Sequence, residues 1–438
     1  MRFAKRLASS CHKNFVMFLH IDIDSFFVSA ERSLDPSLKN IPVAVGGRSN
    51  LEIFNKKRTN IRLMDENSGA FVTPVFYSDK EKSFRSFFID IIDGREKIRG
   101  IITTSSYEAR ASGVKTGMPI AHALRLCPEL VVVPSHYLLY HQLSQKIYHF
   151  LQQRIPQLEQ YSIDEFFGDV GGWIAEDEID TFASEIKEGI YQEFDIPVSI
   201  GISKAKWIAK LATSHAKPFG IGHVKDIDAF IEQIPIEKFP GIGRGFQKRL
   251  EAHYINTLGE ARQRKALFYS WKKPGIQLYH RICGSDHEGI SVRPDRKSIG
   301  ISRTFDKIAE SREVKRRIMI MARHIVYMVM KQKVNPTLFY LKVNYDYGVR
   351  AKMTHRNQRL FSEKRFKDAL LLMYGEIQKE GASAIKITMS VSHFSAQEHR
   401  TLSLLDFEED VKAYQLSMGF QKLREKFGLD IIKTGNEI

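Results

Sequence analysis

Three carboxylates stand where short apolar runs come to an end: Asp22 near the close of the run Phe15–Ile23, and Asp164-Glu165 between Leu158–Ile163 and Phe166–Val170. Clustered carboxylates repel, and each is costly to desolvate without a counter-charge. Hard oxygen donors of this kind suit Mg²⁺, which takes few protein ligands and completes its shell with water and substrate phosphates. Two such ions ~3.5–4 Å apart would stabilise both the attacking and the leaving oxygen of an in-line phosphoryl displacement. A plainer reading stays open here: Asp22 caps a helix and Asp164-Glu165 make a polar turn. Spacing alone does not choose between them.

A second candidate is the glycine hairpin Phe239-Pro-Gly-Ile-Gly-Arg-Gly-Phe246, followed by Lys248-Arg-Leu250 and Ile255-Asn-Thr-Leu258. Glycines at a helix N-terminus let backbone N–H groups face outward, and such a nest binds phosphate oxygens. A Gly-x-Gly pair by itself marks only a turn. With short helices on either side and Arg244, Lys248 and Arg249 close behind, it reads as a clamp on a nucleic-acid backbone.

The elements that must position these residues follow from hydrophobic period. Phe15–Ile23 reads as a buried strand, with Asp24-Ser25 offering an N-cap for a helix that carries Phe26, Phe27, Ala30 and Glu31. Leu158–Ile163 and Phe166–Val170 read as a hairpin, followed by a helix from about Asp177 to Phe194 and a strand Ile196–Ile202. This β-α-ββ-α-β order, with one long excursion inside it, predicts a ferredoxin-like unit. The order recurs near the C-terminus. A strand is expected near Lys297–Phe305, a helix at Glu313–Met330, strands at Thr337–Tyr345 and Val349–Thr354, a helix at Lys364–Lys379 and a strand at Ile385–Phe394. Between the two units, Ser291–Lys297 reads as a charged linker.

The chain of 438 residues carries 66 Lys+Arg against 51 Asp+Glu, a formal net charge of +15. Arg293–Lys367 alone holds 20 Lys/Arg and 6 Asp/Glu, whereas Glu159–Asp195 holds 12 Asp/Glu and one base, Lys187. One segment therefore carries most of the positive charge and another gathers carboxylates. This pattern fits a solvated basic face with an acidic helix, or a polyanion-binding module with a separate metal site. No apolar run reaches the ~18–20 residues a membrane span needs. The richest, Ile318–Met330, is broken by Arg323 and His324. Three cysteines (Cys11, Cys127, Cys283) with no CxxC spacing exclude a disulfide framework and fit a reducing cytosol. The basic, acid-free opening Met1–Lys13 shares that trait with organelle transit peptides, but no long amphipathic stretch follows it.

Seven short motifs, taken in order, resemble one family. They are Leu19-His-Ile-Asp-Ile-Asp-Ser-Phe-Phe-Val28; Ser105-Ser-Tyr-Glu-Ala-Arg110 with Gly113-Val114 and Gly117-Met118; Tyr161-Ser-Ile-Asp-Glu165; Gly201-Ile-Ser203; Ala216-Lys-Pro218; the hairpin at Pro240–Gly243; and Arg296-Lys-Ser-Ile-Gly300. Together they resemble the Y-family translesion DNA polymerases, and within these the DNA polymerase IV branch. The resemblance runs from about Phe15 to Ser395, one segment excepted.

The resemblance implies an α+β, multidomain right-hand polymerase. Its ferredoxin-like palm would be residues 1–25 and 136–226, its fingers 26–135, its helical thumb with a helix-hairpin-helix 227–290, its linker 291–298 and its βαββαβ little finger 299–398. Residues 399–438 would form a C-terminal tail. It implies that Asp22, Asp164 and Glu165 are catalytic and, with the Ile23 carbonyl, bind two Mg²⁺ ions. Phe27 matches the steric gate that excludes a 2′-hydroxyl. Thr104, Tyr107, Arg110 and Lys217 match residues that hold the incoming triphosphate. Gly241, Gly243, Arg244 and Lys297 would contact DNA. In the tail, Thr401-Leu-Ser-Leu-Leu405 resembles the peptide by which the family binds a sliding clamp, with Leu402, Leu404 and Leu405 as anchors. Thr401 replaces the usual Gln and Leu405 the usual aromatic, so weak binding is expected. The implied partners are primer–template DNA, deoxynucleoside triphosphates and a bacterial clamp. The protein is expected to be a cytoplasmic, bacterial monomer of low processivity without proofreading.

Two departures stand out. Arg48–Gly100 occupies a place where the family needs only a short link. It holds Lys56-Lys57-Arg58 and many aromatics (Phe71, Phe76, Tyr77, Phe84, Phe87, Phe88), which predicts packed structure belonging to the fingers. Ser106 stands where the branch often has Asn. Two other classes compete: a catalytically silent DNA-binding scaffold of the same fold, and a metal-dependent nuclease. Intact carboxylates oppose the first, and neither Phe27 nor the triphosphate set is explained by the second.

Overall fold

Strict alternation fixes the central strand. In Phe18–Ile23, Leu19, Ile21 and Ile23 enter one buried apolar cluster, which leaves His20 and Asp22 on the opposite face. The computed structural model describes residues 16–55, 62–63, 76–77, 83–92, 94–291, 297–395 and 405–438. Described residues up to 46 and from 101 to 291 form one unit, and those from 47 to 100 and from 297 onward form a second. Cys11, Lys56-Lys57-Arg58, Phe71, Arg293–Arg296, Thr401, Leu402 and Leu404 lie outside the described residues, as do the side chains of Phe76 and Tyr77.

The first unit is built on a five-stranded sheet in the order Ile221–Val224, Val198–Ser203, Phe18–Ile23, Glu165–Asp169, Gln157–Gln160. All neighbours are antiparallel except the first pair, which is parallel. Tyr137–Gln152 and Ile179–Phe194 cover the face that bears Leu19 and Ile21, contributing Tyr140, Ile147, Ile186 and Ile190 to its core. Helix Lys206–Ala216 covers the other face. It lies so close to the sheet that a Cβ on Gly201 would stand 2.0 Å from the Ala209 carbonyl oxygen and 2.5 Å from the Thr213 nitrogen. Only glycine permits that approach. The predicted ferredoxin-like order is present, and helix 206–216 with strand 221–224 extends it.

A smaller sheet in the order Ile101–Ser105, Val43–Gly47, Val131–Pro134 carries helices Tyr107–Ala111 and Ile120–Leu126. A helical cluster follows. Helices Ile227–Ile231, Arg244–Glu251, Leu258–Arg262, Lys265–Ser270 and Lys272–Ile282 bury Phe239, Leu250, Leu258, Phe268 and Ile282 around a common core. In its hairpin Gly241 sits at φ 103, a conformation that favours glycine, and Gly243 is the N-cap of helix Arg244–Glu251.

In the second unit, a four-stranded antiparallel sheet runs Ser298–Ile308, Ala384–Ser395, Asn335–Tyr345, Arg350–Arg356, backed by helices Ser311–Lys331 and Glu363–Ile377. These are the elements that the sequence predicts, with ends shifted by a few residues. Phe339, Leu341 and Val343 are fully buried beneath the helices. Lys342, and its cross-strand partner Lys352, therefore lie on the open face, as do Arg350 and Arg356.

The insertion departs from expectation. Sequence assigns it to the fingers, but its described residues pack on the second unit. Ile53 and Phe54 join that unit's core, and the Phe54 ring meets Phe305 edge-on at 6.4 Å. Arg316 donates to the Phe54 carbonyl at 3.0 Å, and Arg99 pairs with Asp306 at 2.6 Å. The physical reason is apolar burial: Ile53 and Phe54 complete a core, which a polar link could not do. The stretch expected to be a tail is also built in. Residues Phe407–Phe427 form a helix, and beyond it buried Arg323 pairs with Asp430 (2.8 Å) and Glu437 (3.0 Å). Among the described residues no helix is long and apolar enough to cross a membrane.

Candidate active site

Asp22 and Glu165 are direct cross-strand partners, so their side chains share the sheet face that helix Lys206–Ala216 covers. Asp164 precedes Glu165, and its carbonyl accepts from the Ile23 N–H at 2.9 Å. That bond fixes the hairpin against the central strand. The Asp164 carboxylate accepts from Ser162 Oγ at 2.5 Å. Burial pushes Asp22 up to about 7, Lys217 opposes the shift, and Glu165 and Asp164 add to it. Asp164 is raised as well, again by burial first. Three acids thus crowd one partly dry corner.

Lysines answer them. Lys217 Nζ contacts Asp22 Oδ1, Lys210 Nζ contacts Glu165 Oε1, and Lys206 Nζ reaches Glu159 Oε2 at 2.6 Å. Positions 206, 210 and 217 recur at helical spacing, so one helix stripe and its C-cap face the acidic strands. Sequence reasoning assigns Lys217 and misses Lys210. The lysine spacing opposite the acid-rich Glu159–Glu165 is the signal that could have found it. Among the described residues no trio of carboxylates, imidazoles or thiols closes around a point as a finished metal cage does. The donor set nevertheless fits a hard cation, because it is all oxygen and its carboxylates are held in a partly buried corner, where burial raises Asp22 and Asp164 and the neighbouring acids add to the shift.

Next to the acids is Tyr107, the first residue of helix Tyr107–Ala111. Its hydroxyl donates to Asp24 Oδ1 at 3.1 Å, and the Arg110 guanidinium lies 4.8 Å from its ring centroid. Burial and the Asp24 charge hold the phenol well above its usual range, so it stays protonated and donates. Thr104 stands on the strand that leads into this helix. Ser106, fully buried, accepts from the N–H of Ala109 (3.3 Å) and of Val43 (3.1 Å). The residue at this departure from the family pattern therefore holds helix and strand together.

Phe27 is half-buried and stacks on Tyr140 with centroids 4.3 Å apart and planes 12° from parallel. Tyr137 meets it edge-on at 5.8 Å, and Glu31 accepts from the Tyr140 hydroxyl. The expected cap at Asp24-Ser25 does not form. Ser25 takes φ 47 with no side-chain cap, and Asp24 turns into the site instead. Gly241, Gly243, Arg244, Lys248 and Arg249 are all exposed in the helical cluster. Lys297 is exposed just before strand Ser298–Ile308, and Leu405 is 97% exposed.

This architecture has counterparts among known proteins. Residues 21–214 match the model of the impB/mucB/samB family. The chain is 31% identical over 292 residues to DNA polymerase IV of Yersinia pseudotuberculosis, covering 66% of this chain and 70% of that protein. It is 28% identical over 434 residues to DNA polymerase IV 1 of Halalkalibacterium halodurans, covering 96% and 93% of the two chains. In fold it is similar to a chimera of the Y-family DNA polymerases Dbh and Dpo4, with a TM-score of 0.65 at 20% identity over 86% of this chain and 99% of that one. The carboxylate hairpin, the Tyr107–Ala111 helix and these relatives agree: this chain belongs to the Y-family of translesion DNA-directed DNA polymerases.

Proposed function

We propose that this protein extends a primer on template DNA, damaged template included, by nucleotidyl transfer at Asp22, Asp164 and Glu165. The observation that carries the assignment is the pairing of Asp22 with Glu165 across two strands, beside Asp164 and within reach of Lys217. In the reaction the primer 3′-oxygen forms a bond to the α-phosphorus of a deoxynucleoside triphosphate, the bond to the β-phosphate oxygen breaks, and pyrophosphate leaves. Bound divalent ions, Mg²⁺ by the hardness of the donors, would supply positive charge at both oxygens, and Asp22, Asp164, Glu165 and the Ile23 carbonyl would hold them.

The chain's own residues do the rest. Arg110, Tyr107, Thr104 and Lys217 would grip the triphosphate, Arg as a planar fork and Lys as a point charge. Lys217, in contact with Asp22, is placed to exchange that carboxylate for phosphate oxygens when a nucleotide enters. Phe27, held flat by Tyr140, would lie under the sugar and exclude a 2′-hydroxyl. Gly241, Gly243 and Arg244 would meet the DNA backbone at a helix N-terminus, and Lys297 with the open face of the second unit's sheet would add charge without reading sequence. The proposed domains are those expected from sequence, with the insertion assigned to the little finger. Exposed Leu405 is consistent with a clamp-binding peptide at 401–405. Primer extension with purified protein, template and divalent metal tests the reading. Extension should need template and metal, and its absence, or degradation of the primer instead, would refute it.

A further inference from the structure

Asp24 is a buried carboxylate to which the resemblance assigns no role, and it is 1% exposed. Its Oδ1 accepts from the Tyr107 hydroxyl at 3.1 Å. Its Oδ2 accepts from Ser199 Oγ at 2.8 Å and from the backbone N–H of Phe219 at 2.7 Å. The main chain is fixed too: the Asp24 N–H donates to the Pro197 carbonyl at 3.0 Å, and Ser29 Oγ donates to the Asp24 carbonyl at 2.5 Å. One side chain therefore joins four segments: the end of the central strand, helix Tyr107–Ala111, strand Val198–Ser203 and the turn after Lys217.

Two of these segments carry proposed triphosphate contacts. Tyr107 is one, and Lys217 lies two residues before Phe219. Phe219 is held at φ 51, its carbonyl accepts from Lys187 Nζ at 3.3 Å, and the same ammonium lies 4.0 Å from its ring centroid. A turn pinned on both sides has little freedom, so removing the bond at its N–H would shift Lys217, which contacts Asp22. We propose that Asp24 is a positioning residue that sets Tyr107 and Lys217 together at the spacing a nucleoside triphosphate requires. This inference rests on the polymerase reading and deepens it. It assigns Asp24 an action through two other side chains, without contact with the substrate.

The test is steady-state and single-turnover primer extension by Asp24→Asn beside wild type, with thermal unfolding of both. Asparagine keeps the shape, but its single oxygen cannot accept from Tyr107 on one side and from Ser199 and Phe219 on the other. The expected result is a KM for deoxynucleotide raised about ten- to a hundredfold, with kcat changed far less. Inhibition by pyrophosphate, which needs the same grip, should weaken in parallel. The preference for deoxy- over ribonucleotides should stay at the wild-type value, because Phe27 is untouched. Tyr107→Phe removes only the hydroxyl and serves where Asp24→Asn unfolds. It should raise KM in the same sense, and the double variant should cost less than the product of the two single effects. An unchanged KM in both single variants, or equal losses in nucleotide grip and sugar selectivity, would overturn the proposal while leaving the polymerase assignment standing. No extension by the wild type would overturn both.

Discussion

The rings of Phe27 and Tyr140 lie face to face, 4.3 Å apart and 12° from parallel. Tyr140 is itself anchored by Glu31, whose carboxyl is raised by burial and lowered in turn by that bond. A gate must be stiff to discriminate by clash, and this stack gives Phe27 a rigid backing. Phe27→Ala should therefore lower discrimination against ribonucleotides by about a hundredfold, with a smaller loss in deoxynucleotide use. Competing incorporation of the two nucleotides measures it. Unchanged selectivity would place the gate elsewhere.

Asp22 gives a pH dependence. Burial, with Glu165 and Asp164, moves its carboxyl up to about 7 against the pull of Lys217. A carboxyl raised on folding contributes stability below the unfolded pKa, near 4, that is lost as pH rises through about 7. A divalent cation binds the deprotonated form and relieves that loss. The rise in Tm on adding Mg²⁺ should thus be small at about pH 5.5 and should grow to a plateau by about pH 8. Asp22→Asn should flatten the profile. A magnesium response that is larger at low pH would contradict the assignment.

Lys352 and Arg356 stand on the open face of the second unit's sheet, opposite Lys342 and Leu338. If that face lies along DNA, each phosphate contact releases counterions. Lys352→Ala with Arg356→Ala should then reduce the slope of log affinity against log salt by about 2, for any duplex sequence. An unchanged slope would move the charge-dependent grip to the helical cluster around Arg244.

Phe54 is 4% exposed, packs edge-on to Phe305, and has the Arg317 guanidinium 4.7 Å from its ring. Phe54→Ala should destabilise the second unit by about 3–5 kcal/mol, the usual cost of emptying a buried aromatic site. Denaturant unfolding followed by limited proteolysis of that unit measures it. A cost below about 1 kcal/mol would mean that the insertion is only laid against the surface.

These cases show what a sequence can carry. Elements with a clear period were legible. The alternation through Leu19, Ile21 and Ile23 and the second β-α-ββ-α-β order appear as read, because each is set by local pattern and by which face is buried. The acidic hairpin is present too, but its first strand ends at Gln160 and Glu165 opens the second strand instead of lying in the bend. Asp22 stands out by its place at the end of an apolar run, whereas Phe27 and Tyr107 could be singled out only through the family motifs that contain them. Asp24 was misread as part of a helix cap. Its three partners lie far away in the chain, and the strand that gives Asp22 its direction ends one residue earlier. Lys210 and Tyr140 were missed for the same reason, since their meaning depends on what faces them. The aromatics of the insertion correctly announced packing but could not name its partner, because an apolar side chain carries no address.

The central claim is that Asp22, Asp164 and Glu165 form a nucleotidyl-transfer centre. The most direct measurement is single-turnover extension of a radiolabelled primer by wild type and Asp164→Ala, with template affinity measured on the same preparations. Metal-dependent, templated extension by the wild type is expected, with a loss of at least about a thousandfold in the variant at equal affinity for DNA. Extension by Asp164→Ala at more than about a tenth of the wild-type rate would contradict it.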